Sequence, residues 1–295
     1  MAKEKTLRVS ALNIILHPHS PERYVSILRT TRRNKITTRY RGDRHAMIGY
    51  LSQSGPDDAT GAIEGQIYTY SQIDPNEPWL DMETGKQADQ EDLDAVSLPE
   101  HLKPSLRRYN FVFFPKKHRL FFESYSHEGH SLGPTSAQKI FENLLNHDSL
   151  AEKFGQAEVV LVPTHEALDR ILSMPQLSTL TIFINRPNAD DVDDVEDEVM
   201  RRLEEMDAQS HTEAFKAGPG KSVKPDRRAR AMADVGSSNG YVEGKGIGPQ
   251  GKAVTESTRD HPLREPVTYD PSVEQPTGVL RRAAEKLLNS IKASR

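Results

Sequence analysis

The sequence predicts an α+β fold: a mainly antiparallel β domain over residues 1–126, then an α+β domain over residues 127–295 with a strand-helix-strand-helix core. Three observations predict it. Runs alternating apolar and polar residues, punctuated by turn residues, dominate the chain up to Ser126, as half-buried antiparallel strands require. Between Ala157 and Gln209 two apolar runs and two patterns of helical period follow in direct succession. Pro163, Pro175 and Pro187 separate those four pieces, and proline ends a strand or helix by removing an N–H donor.

In chain order, Thr6 to Leu16 alternates around Leu7, Val9, Ala11, Asn13 and Ile15, giving a first strand that stops at His17-Pro18-His19. Ser20 and Pro21 suit the cap and first position of a short helix, Glu22 to Thr30. Strands follow at Ala46 to Ser52 and Gly61 to Ile73, separated by the turn composition Ser54-Gly55-Pro56-Asp57-Asp58. Pro75 to Pro104 is acidic and predicts a loop pinned by Trp79. Arg107 to Tyr125 predicts an aromatic hairpin about Pro115-Lys116-Lys117, and Gly133-Pro134-Thr135-Ser136 opens a helix with Ile140, Leu144 and Leu145 on its apolar face.

In the central block, Glu158 to Val162 and Leu180 to Ile184 read as strands. Ala167, Leu168, Ile171 and Leu172 mark one helix; Val192, Val195, Val199, Leu203 and Met206 mark another, with its acids on the opposite, solvated face. Asn239 to Val242 and Ala253 to Ser257 predict strands around a glycine-rich turn. Asp260 to Thr277 reads as irregular, and Val279 to Ile291 as a basic amphipathic helix.

At 295 residues the chain can bury a core without staples. It has no cysteine, which excludes disulfides, thiolate metal sites and cysteine nucleophiles. No run approaches the ~20 apolar residues of a membrane helix and no signal core opens the chain, so the expectation is a cytoplasmic protein with no membrane insertion. The net charge of −4 excludes a uniformly basic nucleic-acid binder and leaves local patches to decide.

Few motifs point to a reaction. Gly246-Ile247-Gly248-Pro249-Gln250-Gly251-Lys252 approaches a phosphate-binding loop, but Ala253 replaces the magnesium-binding Ser or Thr and a strand follows where a helix is needed, so it reads as a hairpin turn. The acids Asp190, Asp191, Asp193, Asp194, Glu196, Asp197 and Glu198 suit the first turns of a helix, where the macrodipole favours them, better than a calcium loop. His127 and His130, and His17 and His19, stand in loops without the spacing of a helical zinc pair. No nucleophile elbow occurs. No catalytic residue, metal or cofactor is assigned.

Basic charge is concentrated in four segments: Arg29, Arg32, Arg33, Lys35, Arg39, Arg41 and Arg44; Lys116, Lys117 and Arg119; Lys221, Lys224, Arg227, Arg228 and Arg230; and Arg281 with Arg282. Such residues bind phosphates by displacing counterions and need no base-specific geometry. All are candidate nucleic-acid-binding residues.

The pieces Asn13-Ile14-Ile15-Leu16-His17, Glu64-Gly65-Gln66-Ile67-Tyr68, Pro78-Trp79, His118-Arg119-Leu120-Phe121-Phe122, Arg186-Pro187-Asn188-Ala189-Asp190 and Asn239-Gly240-Tyr241-Val242 resemble a bacterial domain family of unknown function over nearly the whole chain. The stretch from Gly133-Pro134-Thr135 to Asp260-His261-Pro262-Leu263 more distantly resembles the sensor family of the lambda phage Rex exclusion system. That likeness implies antiphage defence, DNA binding, a homodimer and a separate membrane-bound effector protein. The N-terminal half has no counterpart in that family. The expected function is therefore a non-enzymatic DNA-binding sensor or regulator with little sequence preference. The alternatives are a metal-dependent nuclease and a protein-interaction subunit of a multigene defence complex.

Overall fold

The computed structural model describes residues 4–52, 61–74, 77–96, 99, 101–188 and 194–293. The chain runs β1 (Lys5–Leu16), α1 (Pro21–Arg33), β2 (Thr37–Arg41), β3 (Arg44–Leu51) and β4 (Ile63–Ser71). A small ribbon of β5 (Leu80–Asp81) and β6 (Lys86–Gln87) and the short α2 (Gln90–Ala95) follow. Next come β7 (Arg107–Phe114), β8 (Arg119–Tyr125), α3 (Pro134–Leu145), α4 (Asp148–Phe154), β9 (Ala157–Leu161), α5 (His165–Leu172), β10 (Gln176–Asn185) and α6 (Asp194–Glu205). The chain closes with β11 (Ser210–Lys216), α7 (Arg227–Asn239), β12 (Gly240–Ile247), β13 (Ala253–Ser257), β14 (Glu265–Tyr269) and α8 (Pro276–Ala293). The fold class is α+β, with antiparallel pairing throughout the strand pairs observed.

The large sheet has the order β14-β1-β8-β7-β4-β3-β2, and β9 also pairs with β1. One edge of β1 holds β8; the other is divided, with β14 along residues 5–9 and β9 along residues 12–16. Twelve residues at about 3.3 Å each give β1 the length to hold two partners in line. Residues on both sides of Ser126 share this sheet, since β9 and β14 pair with β1 and the helices α3, α4 and α8 pack on it.

The sheet carries a core on each face. On the inner face α1, α3 and α4 cover Leu12, Ile14, Ile48, Ile67, Phe111, Phe113 and Phe122. On the outer face α8 covers Leu7, Val9, Val112 and Phe121 through Val279, Leu280, Ala283 and Ala284. The helix of residues 21–33 begins as the sequence predicts: the Ser20 side chain accepts from the Arg23 N–H and Pro21 opens the first turn, a cap that contributes about 1 kcal/mol.

The central block divides between two sheets. β9 is buried at Ala157, Val159, Val160 and Leu161, and a strand covered on both faces belongs inside a layered structure. β10 instead alternates buried Leu180, Ile182 and Ile184 with half-exposed Thr181 and Phe183, and forms the second sheet, β11-β10-β12-β13. Its buried face is covered by α5, α6 and α7. Val195, Val199 and Leu203 form the predicted apolar stripe of α6, whereas Met206 is 64% exposed. Val192, Asp190, Asp191 and Asp193 lie outside the described residues, as does the Ser54–Asp58 turn.

No helix among the described residues is long and apolar enough to cross a membrane.

Candidate functional site

The four basic segments separate in space. Arg29, Arg32, Arg33 and Lys35 stand at the C-terminal end of α1 and just beyond it, where the helix dipole favours cations. β2 and the turn into β3 carry Arg39, Arg41 and Arg44; α1 packs on β3, and the strand register sets Arg39 and Arg41 on the sheet face away from Ala46 and Ile48, which stand in the core with α1. Arg32, Arg33, Lys35, Arg39 and Arg41 are exposed, and among the described residues none forms an ion pair. Arg44 is spent locally on Thr69, Ser71 and the Ser105 carbonyl. Next to this group the His45 imidazole is held below its ordinary pKa by burial, then by the Arg39 guanidinium.

The other segments are differently disposed. Arg281 and Arg282 lie on α8, over the opposite face of the sheet from α1, and pair with Glu285 and Glu64, and with Glu274. Lys221, Lys224, Arg227, Arg228 and Arg230 belong to the approach to α7 and its first turn, beside the second sheet; Arg228 pairs with Glu198 at 3.0 Å. At the hairpin tip Lys116 is exposed and Lys117 half-buried, but Arg119 is only 5% exposed. It is turned inward, because as the first residue of β8 it pairs with Asn13 beneath the second sheet.

Arg119 borders a buried polar seam that joins the two sheets. His118, in the left-handed conformation at φ 43°, donates from Nδ1 to the Asn13 side-chain oxygen at 2.6 Å. Asn13 donates to the Ser238 carbonyl at 2.9 Å and to the Asn239 side-chain oxygen at 3.1 Å. Asn239 in turn donates to Glu196 Oε1 at 2.6 Å. Asn13 and Asn239 are fully buried and Glu196 is 4% exposed. This corrects the expectation that all the acids of α6 face solvent. Nearby, the Asn188 side chain donates to the Ile14 carbonyl and accepts from the Tyr24 hydroxyl at 2.9 Å.

Four of the six sequence pieces that carry the family resemblance thus meet here: those of Asn13, His118, Arg186 to Asn188, and Asn239. The signal for it lies in β1, where Asn13 interrupts an otherwise apolar face. Closed chains of buried amides rigidify and orient the elements they join. The chemistry of this seam is therefore docking of the second sheet against β1.

Of the histidines, His17 donates from Nε2 to the Arg186 carbonyl at 3.0 Å, and burial lowers its pKa. Its neutral form is then the folded form: stability is fully present above pH 6.5 and declines as pH falls from there through the lowered pKa. His17→Gln should flatten this slope between about pH 7.5 and 5.5 in denaturant midpoints compared with the wild type. His127 has its pKa raised by Glu123, whose fully buried carboxyl accepts from the Asn110 N–H and side-chain amide. Among the described residues no three His, Asp or Glu side chains converge as a metal site. The Gly246–Lys252 stretch is the end of β12 and its turn into β13, with Gly248 N–H bonded to the Lys252 carbonyl.

No curated protein matches the chain. A family model described as Domain of unknown function (DUF4747) matches residues 5–285, and all six sequence pieces fall inside that span. The chain therefore belongs to the DUF4747 family.

Proposed function

We propose that this protein is a non-enzymatic DNA-binding sensor or regulator in antiphage defence. The observation that carries the DNA contact is the group Arg32, Arg33, Lys35, Arg39 and Arg41: exposed, close together in the chain, and without carboxylate partners among the described residues. Elsewhere Arg228, Arg281 and Arg282 are compensated by Glu198, Glu64, Glu285 and Glu274, while Lys221, Lys224, Arg227 and Arg230 near α7 are likewise exposed and outside the ion pairs among the described residues. An uncompensated cluster neutralises duplex phosphates without reading base edges. The defence role, the homodimer and the separate effector rest on the likeness of the C-terminal half to the Rex sensor family.

The test is binding to random duplex DNA over a salt series with EDTA present throughout. Affinity should fall steeply with salt. Reversing Arg32, Arg33, Arg39 and Arg41 to glutamate should make the log-log slope shallower by about 0.9 for each phosphate that is no longer neutralised. Retention of no DNA above low salt by the wild-type protein would sink the reading. Reversing the paired Arg281 and Arg282 should change the slope less.

A further inference from the structure

Among the described residues, α8 covers the outer face of the large sheet chiefly over β14, β1, β8 and β7 and reaches β4 at Glu64. Over β2, β3 and β4 the strand register fixes which side chains stand on the remaining part. Ala46, Ile48, Leu51, Ile63 and Ile67 point into the inner core, so their alternates point out. These are Arg39 and Arg41 on β2, His45, Met47 and Tyr50 on β3, Gln66, Tyr68 and Tyr70 on β4, and Arg108 and Asn110 on β7.

A wet sheet face ordinarily carries small polar and charged residues. This one carries aromatic planes and guanidinium groups. Tyr50 is 46% exposed. The Tyr68 ring lies flat over Gly49, where a Cβ would come within 2.3 Å of it, and the Arg108 guanidinium stands 5.7 Å above the ring. Covering a strand glycine accounts for where Tyr68 lies, but not for an exposed Tyr50 or for the arginine above the ring. His45 stacks on Tyr70 at 6.0 Å and 23°, but Tyr70 is buried, so this pair lies outside the accessible part of the face. Between the aromatics, Gln66 donates to Asn110 at 2.9 Å, and among the described residues its side-chain oxygen and second N–H are not engaged. Where this face meets α8 a recess is lined by Tyr50, Gln66, Asn110, Thr277 and Leu280.

We infer that this face binds single-stranded DNA, stacking unpaired bases on Tyr50 and Tyr68. The inference rests on the proposed DNA reading and deepens it by naming the form of DNA and the surface. Aromatic and guanidinium planes on an open sheet hold bases whatever their identity, and amides such as Gln66 bond base edges exposed by unpairing. Arg39 and Arg41 belong both to this face and to the uncompensated basic cluster, so one strand can pass from phosphate contacts at the sheet edge onto the stacking face. Charge complementarity favours a nucleic acid over a protein: Arg39, Arg41 and Arg108 face outward, and Glu64, toward α8, is held by Arg281.

The test uses the full chain with a 5′-labelled single-stranded oligonucleotide, the blunt duplex of the same sequence and the equivalent RNA, with 2-aminopurine in the single strand as a stacking probe. Tyr50→Ala, at an exposed position, should weaken single-strand binding by about fivefold or more. It should also reduce the change in 2-aminopurine emission and leave duplex binding unchanged. Tyr68→Leu keeps Gly49 covered and should act in the same direction, whereas Tyr68→Phe should retain binding. Equal loss on single strand and duplex, or no loss on either, would overturn the stacking face while the salt dependence of duplex binding keeps the proposed function intact. RNA bound more tightly than DNA would overturn the assignment to DNA. Binding to no nucleic acid would overturn both.

Discussion

Replacing Gly240 with alanine should unseat the second sheet. A Cβ at this position would lie 2.1 Å from the Phe183 carbonyl oxygen and 2.9 Å from its carbon, closer than atoms can stand. The obstacle is backbone of β10, an inner strand of the four, so no side-chain rotation relieves it. Overpacking a core usually costs about 1–3 kcal/mol, and displacing a paired strand belongs at or above the top of that range. A loss of about 3 kcal/mol or more is expected, read as a fall in urea midpoint with the Phe183–Tyr241 stack disturbed in near-ultraviolet circular dichroism. Gly251→Ala provides the comparison. That glycine, at φ +73° in the β12–β13 turn, has open space around its Cβ position, so only backbone strain of about 1–2 kcal/mol applies. Equal midpoints for the two variants would contradict the close approach at Gly240.

The neighbouring residue carries the second large effect. Asn239→Ala removes the amide that donates to Glu196 and the oxygen that accepts from Asn13, both in the buried seam. Each buried polar group deprived of such a partner costs about 1–3 kcal/mol, so a destabilisation of about 2–4 kcal/mol is expected. At this chain length that lowers the melting temperature by roughly 3–7 °C. Asn239→Asp separates the two bonds. It keeps an oxygen for Asn13 but sets an acceptor against the Glu196 carboxyl, so it should be no better than alanine at neutral pH. An aspartate variant as stable as the wild type would mean that the seam is not organised by the Asn239 amide.

Elements of long or strong periodicity are legible in the sequence. β1, the β7–β8 hairpin, α3, the β12–β13 hairpin and α8 all occur where alternation, helical spacing and turn residues place them. β11 is not legible: Ser210–Lys216 alternates exposed and half-buried residues and offers only Ala214 and Phe215 as apolar members, because an edge strand buries little. β14 is hidden by Pro266, which suits an outer strand, and that is where β14 lies, paired with β1 alone. For the candidate site, the sequence identifies every basic cluster but not which arginines the fold leaves uncompensated. Glu198, Glu64 and Glu274 are distant in sequence from some of their partners and adjacent only after folding.

The sequence by itself determined the α+β class, the basic stretch at Arg29–Arg44 and the membership of one family, because periodicity, local charge and motif spacing are properties of neighbouring residues. Tertiary structure alone decided that β9 and β10 enter different sheets, that Asn13, His118, Glu196 and Asn239 join in one buried seam, and that Tyr50, Tyr68 and Arg108 share one sheet face. Each of those depends on strand register and docking, where residues far apart in the chain are joined by hydrogen bonds and burial that no local pattern encodes.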